Sequence, residues 1–278
     1  MSRRVRPPFA ASSPPRPGLG IPGELPNPLE RIPPGADPAE NRHFPRLVSK
    51  YSGGEFRMVE DACAQEEDLD VLVAGQDGYT LSRTPGDDAN LVIGSLFTRS
   101  RILGPESVAD LRLSRRAGRD IAEVRLADEP LQERRLLPLQ DTRRERLEPE
   151  RLLALHQVFE ELQVVRRRTG ATHGAALFDL EGGLISFGED VGRHNGLDKA
   201  IGGALATGRL ASVSMMVLSS RLAQELVLKA VCCGVPILAG FSVATAAAVE
   251  CAHCYGITLV GRMRPGSMNV YTHPWRLG

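Results

Sequence analysis

Three short runs in the second half of the chain gather side chains able to hold a phosphorylated ligand. Gly188-Glu189-Asp190-Val191-Gly192-Arg193-His194-Asn195 puts two carboxylates, an arginine and a histidine in one loop, with Asp198 and Lys199 just beyond. Such groups are costly to bury unless they pair or bind something. Surface salt bridges with a helix cap by Asn195 would account for the same residues. The second run, Leu218-Ser219-Ser220-Arg221, follows an apolar stretch. Two hydroxyls, an arginine and free helix amides suit a phosphate; capping by Ser219 or Ser220 with an exposed Arg221 is the alternative. The third is Arg262-Met263-Arg264-Pro265-Gly266-Ser267. Turn amides beside an arginine can hold a diphosphate or read a base edge, and a plain hairpin is the alternative. Each run stands at the end of an expected strand, and together they predict a phosphorylated or nucleotide-bearing ligand. His173 stands alone after Gly170 and reads equally as a ligand contact or as a histidine bonded inside the fold.

The cysteines offer a different chemistry. Cys251-Ala252-His253-Cys254 has spacing that invites zinc or redox work. It falls in an expected helix without a second ligand pair, so no zinc is expected. Cys232-Cys233 reads as packing at a helix end, and nothing near Cys63 in sequence is placed to activate it. An odd count of five thiols fits a reducing compartment.

The elements that position these runs follow from periodicity. Leu69, Val71 and Val73 predict a strand, Gly75 to Gly78 a hairpin turn, and Tyr79 to Arg83 the return strand. Asp87 is placed to cap a helix carrying Leu91, Ile93, Leu96 and Phe97. Ile121 to Leu126 reads as a strand, and Leu152, Leu155, Phe159 and Leu162 as one face of a helix. Beyond Gly170, strands expected at 175–179, 185–187, 213–218, 236–239 and 258–262 alternate with helices at 196–205, 222–232 and 244–254. That alternation predicts an α/β layered sheet, whose ligands sit beyond the strand ends. The stretch before about Pro45 is rich in proline and arginine and reads as a leader without a fold, order beginning near Met58.

Global properties exclude rather than identify. With 34 basic and 34 acidic side chains there is no overall pull toward nucleic acid or membrane. The longest apolar stretches are too short to span a bilayer, and no secretory signal is visible, so a cytoplasmic protein is expected.

The runs also carry a resemblance. Thr169 to Asp179, Glu189 to Asn195 with Asp198-Lys199, Ser219 to Arg221 with Glu225 and Lys229, Gly234 to Leu238, Ser242, and Gly256 to Gly261 leading to Tyr271-Thr272-His273-Pro274 follow one another as in the formate dehydrogenase accessory sulfurtransferase family (FdhD). The N-terminal part is similar through Thr84-Pro85-Gly86-Asp87-Asp88 and Gly94. The resemblance implies a deaminase-like layered α/β core over residues 151–278. It implies a smaller β-rich part over 49–138, which leaves the proline-rich leader at 1–48, and a homodimer. It further implies an accessory protein that takes sulfur from a cysteine desulfurase and passes it to the molybdenum bis-molybdopterin guanine dinucleotide cofactor of formate dehydrogenase. The cofactor-binding residues it implies are His173, Arg193, His194, Ser219, Ser220, Arg221 and the stretch Arg262, Met263, Arg264, Pro265, Gly266, Ser267, although Arg262 replaces the family's bulky apolar residue. The family's sulfur-carrying C-x-x-C corresponds to the 139–150 loop, where Leu139 to Glu148 contains no cysteine. Persulfide chemistry needs a thiolate. A non-catalytic cofactor chaperone or regulator is therefore the alternative to a sulfurtransferase.

Overall fold

Alternation of apolar strands with amphipathic helices in the second half builds a six-stranded sheet. The computed structural model describes residues 3–5, 42–127, 136–139 and 146–278. The sheet strands are β8 (His173–Phe178), β9 (Leu184–Asp190), β10 (Met215–Leu218), β11 (Ile237–Gly240), β12 (Thr258–Arg264) and β13 (Ser267–Val270). Their spatial order is β13-β12-β11-β10-β8-β9, with β10, β11 and β12 mutually parallel. Parallel neighbours need crossovers, and helices α5 (Gln224–Cys232) and α6 (Ala246–Tyr255) supply them.

Alternate residues of each strand face opposite layers. Ala175, Leu177, Met216, Leu218, Leu238 and Leu259 share a core with α4 (Arg193–Ala206), α5 and α6. Ala176, Phe178, Met215, Val217, Ile237 and Ala239 pack with α2 (Pro149–Leu162), whose buried stripe is Leu152, Leu155, Phe159 and Leu162. The chain is thus mixed α/β, with helices on both faces of the sheet. A short helix α3 (Val164–Thr169) links α2 to β8.

The first half forms a five-stranded sheet ordered β1-β6-β7-β4-β5. Its members are β1 (Arg3–Val5), β4 (Glu67–Val73), β5 (Tyr79–Arg83), β6 (Val108–Arg116) and β7 (Arg119–Leu126). Helix α1 (Asp88–Thr98) joins the two halves by crossing α4. Beta carbons on Gly94 and Gly202 would overlap the carbonyl oxygens of Asp198 and Asn90, so two glycines permit the approach. The apolar residues of β4, β7, α1 and α4 belong to one continuous core.

Several expectations change. Order begins before Met58: strands β2 (His43–Ser52) and β3 (Glu55–Ala64) form a hairpin, so the leader expected over 1–48 loses its last six residues. The rest of that leader, apart from 3–5, lies outside the described residues, as does 140–145 of the 139–150 loop. Asp87 does not cap α1; its carboxylate accepts from Arg42 Nη2 at 2.8 Å. Among the described residues no helix is long and apolar enough to cross a membrane.

Candidate functional site

The three polar runs meet at one edge of the six-stranded sheet. His173 pairs with Asp190, Leu218 with both Ala175 and Gly240, and Ala239 with Val260, which sets the start of β8 and the ends of β9 to β12 side by side. Strands lie about 4.8 Å apart, so the β8 and β12 ends are roughly 14 Å apart along the edge. A ligand touching both must be extended.

Most of the first run faces inward. Glu189 accepts from the amides of Val165 and Arg166 and from Thr172 Oγ1, closing the start of α3. Asp190 and Lys199 form a fully buried ion pair at 2.8 Å. Asp190 also accepts from Thr84 N, Gly192 N and Asn195 Nδ2, while Lys199 Nζ donates to Thr84 O. Asp198 takes Lys229 Nζ at 2.6 Å and Thr98 Oγ1 at 2.9 Å. These groups form a clasp between the halves, neither surface salt bridges nor a ligand cradle. Asn195 is no helix cap: Gly192 occupies that position, and Asn195 Nδ2 donates to Ser82 O.

What remains at the rim is cationic. Arg166, Arg193 and Arg221 all act on the His173 imidazole. Burial, and then those arginines, hold its pKa below the ordinary histidine value, Asp190 opposing. His194 is lowered too, chiefly by burial and then by Lys229 and Arg193, although its Nε2 lies 3.0 Å from Glu225 Oε2. Two rim atoms, His173 Nδ1 and Arg193 Nε, are buried without a hydrogen-bonding partner. An unmet guanidinium donor and an imidazole nitrogen beside several arginines suit an anion.

Ser219 and Ser220 do not cap α5, which begins at Gln224 without a side-chain cap. Ser219 Oγ accepts from Gly174 N at 2.9 Å, and Ser219 N donates back to Gly174 O. Ser220 is buried, its hydroxyl donating to Arg221 O, and Arg221 is exposed.

At the far end of the edge, Pro265 and Gly266 (φ 75°) turn β12 into β13 in the type II manner. Arg262 adopts φ 52° at a bulge and is exposed, so a long polar side chain fits there. Arg264 Nη1 is held by the carbonyls of Phe241 and Met263. Met263 points into the core under α2, so its side chain is no ligand contact. Ser267 is exposed beside the turn.

The thiols lie elsewhere. None of the five is in a disulfide, and Cys254 alone is exposed. Burial, with the neighbouring Cys254, pushes the Cys251 thiol up. Both sit in the last turn of α6, at the sheet edge opposite the rim, where the helix dipole disfavours a thiolate. Leu139 N donates to Tyr255 O, so the 139–150 loop departs from that same opposite edge. Among the described residues no group of three His, Cys, Asp or Glu is placed to hold a metal.

Residues 129–278 match the model of the FdhD/NarQ family. A sulfur carrier protein FdhD from Sulfolobus acidocaldarius is 34% identical over 247 residues, covering 83% of this chain and 96% of the relative. The chain belongs to the FdhD/NarQ family. Other FdhD sulfur carrier proteins, from Anaeromyxobacter dehalogenans and Thermoplasma acidophilum, are 34% and 30% identical over 82% and 84% of this chain, and over 91% and 92% of their own lengths. The fold is also that of a candidate formate dehydrogenase accessory protein solved from Desulfotalea psychrophila, with a TM-score of 0.72, 22% identity, and coverage of 85% of this chain and 99% of that one. Within this FdhD/NarQ chain, spacing had singled out His173, Arg193 and Arg221, but not Gln163, Arg166 or Thr84. Thr84 was legible only as part of a turn, since its partners lie more than a hundred residues away. Gln163 had a signal: it is polar and stands four residues beyond Phe159, just past the end of α2 and in line with its apolar stripe.

Proposed function

We propose that this protein is an accessory factor of formate dehydrogenase maturation that holds the molybdenum bis-molybdopterin guanine dinucleotide cofactor as cargo at the strand-end rim. The observation that carries this reading is the pair of unmet buried nitrogens, the Arg193 Nε donor and His173 Nδ1, which donates in its Nδ1–H tautomer, among the arginines 166, 193 and 221. A diphosphate would satisfy them. Ser220, Arg221 and the exposed turn around Arg262, Pro265, Gly266 and Ser267 extend the same edge over roughly 14 Å, which suits an extended ligand. The names of the relatives supply the formate dehydrogenase client and the sulfur-carrier role. In this reading residues 151–278 are a deaminase-like layered core that binds the cofactor, 49–138 the smaller β-rich part, and the protein works as a cytoplasmic homodimer.

Sulfur transfer would require a thiolate that accepts sulfane sulfur from a desulfurase persulfide, the desulfurase cysteine leaving as its own thiolate. The 139–148 loop offers none. Cys254 is exposed but lies on the edge opposite the rim. That separation favours a second reading, a cofactor-binding chaperone without catalysis. Incubation with a cysteine desulfurase and cysteine, followed by persulfide mapping, separates the two. A labelled peptide identifies a carrier thiol and ends the chaperone reading. An unlabelled protein that still binds GDP ends the transferase reading.

A further inference from the structure

Gln163 is the most anomalous side chain beside the rim. It is 1% exposed, and neither Oε1 nor Nε2 meets a hydrogen-bonding partner. An amide has two donors and two acceptor positions, and leaving all of them unmet inside a protein is costly. Methionine or leucine would fill that volume without the cost. A buried amide whose whole edge is unanswered is matched by another group with one donor and one acceptor side by side.

Its position joins it to the site. A methyl group placed on Gly174 would stand 3.2 Å from Gln163 Oε1 and 3.0 Å from its Cγ, so the side chain packs directly against the glycine backbone. Gly174 follows His173 and is bonded through both its N–H and its carbonyl to Ser219. Gln163 lies on the α2 side of the sheet and His173 on the other, and they flank one backbone position that Ser219 holds at the mouth of β8. One aromatic ring lies beside the amide. The Phe159 ring stands 3.1 Å from the same imagined methyl. Phe159 packs edge-on against Phe241 and Phe187, and His156 edge-on against Phe241. An aromatic ring beside an unanswered amide suits a planar heterocycle.

We propose that Gln163 reads the adjacent N–H and C=O of a lactam heterocycle, the edge that guanine and pterin share. The Gln163 carbonyl accepts from the ring N–H, and its amino group donates to the ring C=O. The inference rests on the reading of the rim as a phosphate site for a guanine- and pterin-bearing ligand, and assigns the rim arginines to phosphate and Gln163 to the ring.

Calorimetric titration of the full chain with GDP, inorganic diphosphate and 6-hydroxymethylpterin tests the assignment. The variants are Gln163→Met, which keeps the unbranched volume, and Gln163→Leu as a second filler. Both should melt at or above the wild-type temperature, because an unanswered amide is gone. If the ring is guanine, Gln163→Met weakens GDP about tenfold or more and leaves diphosphate unchanged. If it is pterin, the loss falls on 6-hydroxymethylpterin instead. Arg193→Ala, by contrast, weakens both GDP and diphosphate. Unchanged affinity for GDP and for the pterin in both Gln163 variants overturns the assignment, and so does an equal loss of GDP and diphosphate, which would mark a merely structural residue. A wild-type protein that binds none of the three probes overturns the phosphate-site reading itself, and the inference with it.

Discussion

Two polar regions lie within a few residues of each other and are built on opposite principles. In the clasp, the charges of Asp190, Lys199, Asp198 and Lys229 are answered by an opposite charge, a backbone group or a hydroxyl. At the rim, Arg193, His173 and Gln163 keep buried atoms with no partner. The same loop feeds both: Asp190 turns inward and Arg193, three residues on, faces the rim. A dense polar sequence thus divides into a part that holds the halves together and a part left open for something else. Stability should reside in the first and ligand affinity in the second.

The sharpest break comes from the clasp. Lys199→Met leaves Asp190 buried without its cation, and losing one partner of a buried pair costs about 3–5 kcal/mol. Thermal or urea unfolding should show a large fall or loss of the folded state. A variant as stable as the wild type would mean the pair is not what joins the halves.

Next is the helix crossing beside it. Gly202→Ala gains about 0.5–1 kcal/mol of helix propensity. It also drives a methyl into the Asn90 carbonyl, a backbone atom that cannot rotate away. Overpacking costs about 1–3 kcal/mol, so net destabilisation is expected in urea melts. A stabilised variant would show that α1 and α4 can separate at no cost.

The smallest effect distinguishes the rim by pH. His173 and His194 bind protons less readily when folded, mainly through burial. As pH falls through about 6.5, the unfolded chain takes up protons that the folded one refuses, so stability drops. Melting temperature should decline from pH 7.5 to 5.5, and His173→Gln should decline less. Equal slopes would place His173 outside the cationic rim.

How much of this was legible depended on the range of the interaction. The strands at Leu69–Val73 and Tyr79–Arg83, the α2 stripe and the alternation beyond Gly170 could be read, because burial on one face imposes a local period. The β2–β3 hairpin could not. Leu47, Tyr51, Phe56 and Met58 are exposed on it, so the sequence is not patterned by a core. The edge that gathers the rim could be anticipated from strand ends. The division into clasp and rim could not, since it turns on Ser82, Thr84 and Thr98, contacts about a hundred residues away from Asp190, Lys199, Asn195 and Asp198. The turn at Pro265-Gly266 was visible, but that Arg264 is already held by two carbonyls was not.

The contrast predicts where a ligand's affinity comes from, and GDP titration against wild type, Arg193→Ala and Arg264→Ala tests it most directly. Saturable binding to the wild type is expected, with Arg193→Ala losing about 1.5–3 kcal/mol, roughly ten- to a hundredfold, while its melting temperature stays close to wild type. Arg264→Ala should lose less, its guanidinium being partly occupied. No binding to the wild type, or unchanged affinity in Arg193→Ala, would contradict the assignment of the rim as the ligand site.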